Sequence, residues 1–93
     1  MTTASEVRAV AAKVWDQETH SEADEAFLAS LAAADACWHL SLRAANISFG
    51  GGSEAWLAVK RMATRQRDAE YIAALKTLEA ADDLAFEHAQ AAE

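Results

Sequence analysis

At 93 residues the chain has room for one domain, and with no proline, 25 alanines and few β-branched residues it reads as all-α. A formal net charge of −7 disfavours nucleic acid as a partner, and a single cysteine rules out an internal disulfide. No apolar run reaches the length needed to cross a bilayer, and the start, MTTASEVRAVAAKVW, lacks the basic region and apolar core of an export signal; a cytoplasmic protein with no membrane partner is expected.

The first helix is expected over about residues 5–18. Val7, Val10, Ala11 and Val14 recur at three- and four-residue steps and share one face. Glu6 suits the positive end of the helix dipole. Trp15 lies at the edge of this stripe. It either packs the helix onto its neighbours or stays exposed as a binding anchor, a role for which tryptophan is favoured.

A second helix is expected over 22–46. Ser21 is placed to cap it, with Asp24 three residues on. Phe27, Leu31, Ala34, Trp38 and Ala45 follow at the intervals that present one packed seam, with Leu42 beside it. The stretch NISFGGGSEAW then holds all three glycines, and a turn over 47–53 is expected. A phosphate loop would need a lysine after the glycines and a strand before them. Here Glu54 follows instead, and the preceding residues are helical in pattern. Ile47 and Phe49 are expected to pack back over the helix ends. One glycine suffices for a cap, so the surplus points to a mobile loop or to close approach of a partner.

The third helix is expected over about 54–90, opened by Ser53. Trp56, Val59 and Ala63 share a face, flanked by Leu57 and Met62; Tyr71, Leu75, Leu78, Ala85 and Ala89 form a later stripe. Between them TRQRDAE breaks the rhythm, because Gln66 and Glu70 fall where the stripe would continue. One long helix with a wet middle is favoured over a bend, for want of Gly or Pro. Asp82 falls inside the later stripe. Either the stripe ends at Leu78, or this carboxylate is paired in a helix interface. Trp38 and Trp56 are read as core, meeting near the bend.

Residues with chemistry are few. Asp16 with His20, and Asp35 with His39, stand four apart, but neither matches the Glu-x-x-His step of bundle metal sites. Cys37 is expected to be a small, largely buried filler. No cofactor, metal or catalytic constellation is assigned. Lys60, Arg61, Arg65 and Arg67 supply half of the basic charge, wrapped around the helix rather than gathered as a stripe. They read as a solvated collar, as a docking patch for an acidic protein surface or, least of all, as a contact for nucleic acid.

In length and central bend the chain is similar to the small secreted helical hairpins that carry a Trp-x-Gly turn. At the place of that motif it has Phe49-Gly50-Gly51, and Leu75 stands four residues after Tyr71 where their export signal has an acid. The resemblance is one of shape, and no family membership is inferred. CWHLSLRAAN likewise lacks the lysine and glycine expected after a phosphorylated histidine in a phosphotransfer bundle.

The expectation is therefore an all-α fold: an antiparallel helical hairpin with a shorter N-terminal helix, completing a helical bundle by homo-oligomerisation. The expected role is a non-enzymatic protein-interaction module, an adaptor, inhibitor or assembly component, with Trp15, Phe49, Lys60, Arg61, Arg65, Arg67 and Asp82 as contact candidates. The alternative is a helical oligomer that binds a small ligand, nucleotide or anion through the 60–67 cluster.

Overall fold

The computed structural model describes residues 2–92, with side chains described for residues 2–83. It is an all-α hairpin with a shorter N-terminal helix. Helix α1 spans Ala4–Trp15, α2 spans Glu22–Phe49 and α3 spans Glu54–Ala92. Among the described residues there is no strand.

Each helix begins at a side chain able to cap it. Thr3 Oγ1 accepts from the Glu6 amide at 3.3 Å. Ser21 and Asp24 form a reciprocal capping box, each side chain accepting from the other's amide at 3.1 Å. Ser53 Oγ accepts from the Trp56 amide at 3.2 Å and donates to the Gly50 carbonyl at 2.9 Å.

The ends differ from the sequence expectation in two places. Helix α1 stops at Trp15 rather than near 18, because the linker folds back: His20 Nε2 donates to the Val14 carbonyl at 2.8 Å. Helix α2 continues through Ile47, Ser48 and Phe49 and ends only at Gly50, whose φ of 79° and ψ of 138° suit glycine. Nothing in Asn-Ile-Ser breaks a helix, so it runs to the first residue free to leave it. As a result Ile47 and Phe49 do not fold back over the helix ends. They are 77% and 54% exposed.

The buried core consists of Val7 and Val14 from α1, Phe27, Leu31 and Ala34 from α2, and Tyr71, Leu75 and Leu78 from α3. Val10, Ala11, Leu28 and Ile72 pack around it. Of the expected α3 stripe, Ala85 and Ala89 lie outside the described side chains. The core occupies one half of the molecule. Helix α1 has 12 residues against 28 in α2, so it covers roughly 18 Å of α2's roughly 42 Å. Towards the glycine loop α2 and α3 have only each other, and Ala45 is the one buried apolar residue there. The radius of gyration is 16.9 Å, against about 12 Å for a compact chain of this length, and the extents are 60 × 26 × 16 Å. The molecule is a flat rod with three helices at one end and two at the other.

The loop calls for glycine at two of its three glycine positions. Gly50 and Gly52 have φ of 79° and 83°, where a side chain is strained. At Gly51 φ is unexceptional, but a Cβ would lie 2.7 Å from Asn46 Oδ1. Asn46 is exposed, so its side-chain tip can move away. Gly50→Ala and Gly52→Ala are each expected to lower stability by about 1–2 kcal/mol, and Gly51→Ala by well under 1 kcal/mol. Urea unfolding of the three variants by circular dichroism checks the order; equal losses would mean the loop is held otherwise.

Candidate functional site

The break in the α3 rhythm marks a polar belt midway along the rod. Tyr71 is buried, and its hydroxyl donates to Asp35 Oδ1 on α2. One turn and more towards the loop, Trp38 Nε1 donates to Thr64 Oγ1 at 3.0 Å. Arg67 lies between the two aromatics, its guanidinium carbon 5.0 Å from the Trp38 ring centre and 5.8 Å from that of Tyr71. Asp68 pairs with Arg67 at 3.4 Å. From α1, Arg8 covers the other part of the Tyr71 ring at 5.4 Å. The belt therefore lies where the end of α1's reach meets the hairpin.

This geometry explains TRQRDAE. The seam passes through Thr64, Arg67 and Tyr71, not through Gln66 and Glu70, so α3 stays continuous while its inward face turns polar. Its place in the belt keeps Trp38 apart from Trp56, which it was expected to meet. Trp38 is level with Thr64, eight residues or about 12 Å further along α3 than Trp56. Both are half-buried rather than core. His39 stands edge-on to Trp38 at 5.0 Å, and Asp35 serves Tyr71, so Asp35 and His39 have separate partners.

The sequence candidates lie in different places. Arg67 is drawn into the belt, with 16% of its side chain accessible. Lys60 lies over the Trp56 ring at 5.3 Å, while Arg61 and Arg65 are exposed. The four cations thus do not converge on one pocket. Trp15 is 69% exposed, tilted beside His20 with ring centres 6.3 Å apart, at the opposite end of the rod from Phe49. Leu78 is buried and Asp82 is exposed, so the inward stripe leaves solvent contact to the acid. Cys37 is exposed rather than a buried filler, because it lines the side of the α2–α3 groove that α1 does not cover. Residues missed by the sequence reading are Arg8 and Thr64, and Asp35 was weighed only with His39, because the roles of all three depend on a partner in another helix. Leu40 at 64%, Met62 at 69% and Leu57 at 38% add exposed apolar surface.

Among the described residues no group of three or more His, Cys, Asp or Glu side chains could hold a metal ion, and no helix is long and apolar enough to cross a membrane.

Burial first, then the hydrogen bond to Asp35 and its charge, raises the Tyr71 hydroxyl above its ordinary pKa, with Arg8 opposing. The unfolded chain thus loses this proton first. The stabilisation is complete below pH of about 10 and is lost as pH rises through the higher folded value. Tyr71→Phe is expected to lower stability at neutral pH by about 1–2 kcal/mol and to lessen the alkaline decline. Unfolding midpoints of both proteins from neutral to alkaline pH test this; parallel declines would remove Tyr71 as a contributor.

No protein-family model, curated protein or solved structure matches the chain.

Proposed function

We propose that the protein is a non-catalytic protein-interaction module that associates with itself and with another protein. The observation that supports this reading is apolar exposure. Trp15, Leu40, Ile47, Phe49, Leu57 and Met62 are all at least 38% exposed, in a chain whose buried core is small. Isolated exposed apolar residues are ordinary, but this many large ones on a rod this thin leave surface that association would cover. Four of them fall at the ends, with Leu40 and Met62 between. Trp15 marks the three-helix end, and Ile47, Phe49 and Leu57 flank the loop. The ordered loop and its caps hold Phe49 on a rigid helix end, which lowers the entropy lost on binding. An unpaired, exposed Cys37 fits a reducing, cytoplasmic setting.

Capture on immobilised full-length protein tests the second-partner part. A specific partner from the source cell's extract should be retained by the parent chain. Trp15→Ala or Phe49→Ala should weaken retention by about tenfold or more, as loss of an interface anchor does, without moving the unfolding midpoint. Retention unchanged by both substitutions would sink this reading.

A further inference from the structure

Helix α1 fills one of the two grooves between α2 and α3. The groove on the opposite side is open. Two contiguous hollows of about 470 and 430 Å³ lie along it, sharing Cys37 and Glu70. Glu70 is the one charged side chain that lines either hollow, on a chain of net charge −7. We propose that a second copy of this chain covers this groove, face to face and with its loop at the other end, making an antiparallel four-helix core with an α1 on each outer side. This rests on the self-association proposed above and specifies its surface and direction.

Area comes first. The open face follows α3 from Val59 to Ala81, 22 steps or roughly 33 Å. Two packed helices are roughly 20 Å wide. Covering this face on two copies removes on the order of 1,300 Å² from water, within the range of stable interfaces. A single partner helix would cover about half of that. The face therefore suits a partner two helices wide, and a second copy has such a face.

Shape gives the direction. Near α1 the face is made of small groups, Ser30, Ala33, Ala73 and Thr77. Towards the loop it carries Val59 and Met62, with Leu40 on its rim one turn beyond Cys37. Copies with loops at the same end would set large against large and leave a void at the other end. With loops at opposite ends, Met62 meets Ala73 of the second copy and Leu40 meets its Ala33. These two matches require one twofold axis. On α3 it falls between residues 67 and 68, and on α2 between 36 and 37. The belt independently places those positions side by side: Asp35 and Trp38 bracket the α2 point, and their partners Tyr71 and Thr64 bracket the α3 point. An isologous contact of this kind closes on itself and stops at two copies.

Glu70 then lies near the axis beside Gln66 of the other copy, whose amide is a donor; within one chain Gln66 Nε2 already donates to Glu70 at 3.1 Å. The two carboxylates approach one another there, so Glu70 limits affinity.

Light scattering on the full chain across a micromolar range, with variants, decides the matter. The parent should show twice the chain mass of 10.0 kDa. Ala33→Arg and Ala73→Arg, both at exposed positions, should give single-chain mass with unchanged helical circular dichroism. Ala9→Arg, on the outer face of α1, should keep the double mass. Glu70→Gln should dissociate at lower concentration than the parent. A short bis-maleimide should join Cys37 of one copy to Cys37 of the other. A parent of single-chain mass would overturn self-association altogether, leaving the capture of another protein through Trp15 or Phe49 to stand or fall separately. A double mass that survives both arginine variants would overturn the face, and a double mass without the Cys37 link would overturn the direction.

Discussion

Alanine brings helix backbones close but removes little apolar surface from water. The α2–α3 seam therefore depends on the few large side chains set along it, and Phe27, Leu31, Tyr71, Leu75 and Leu78 all fall in one half. It is also the half that α1 covers. Where α1 ends, the large buried residues end too, and the remaining hairpin is held by Ala45, half-buried tryptophans and the belt. The shortage of apolar bulk thus explains both the local thickening of the rod and the exposed apolar side chains beyond it.

The belt supplies register where bulk is missing. Alanine against alanine tolerates sliding, since one small contact is much like the next. A tryptophan indole that must find a hydroxyl, and a buried phenol that must find a carboxylate, do not tolerate it. Shifting α3 against α2 by one turn would strand Trp38 Nε1 and the Tyr71 hydroxyl together. Polar contacts of this type add modest net stability but penalise alternatives, which is their best-attested use in helical assemblies.

Much of the architecture was legible in the residues. Ser21 with Asp24, and Ser53, announce their helices through local hydrogen bonding, and Phe27, Leu31, Ala34 and Ala45 show their common face by spacing alone. What was not legible needed a partner from elsewhere in the chain. Arg67 looked like one member of a basic collar, and only the rings of Trp38 and Tyr71 turn it inward. Trp15 sits one residue past buried Val14, and whether a side chain that large packs or projects is set by where the linker carries α2. The third glycine has an ordinary φ and only the movable tip of the Asn46 side chain beside it, so neither its dihedral angles nor its surroundings demand glycine.

The three tryptophans end up distributed along the rod: Trp15 at the covered end, Trp38 in the belt and Trp56 beside the loop end. Trp15 lies by an imidazole, Trp38 by an imidazole and a guanidinium, and Trp56 by an ammonium. The molecule consequently carries three emitters at known stations. Single-tryptophan versions would record whether the thick and thin halves come apart as one event or in succession.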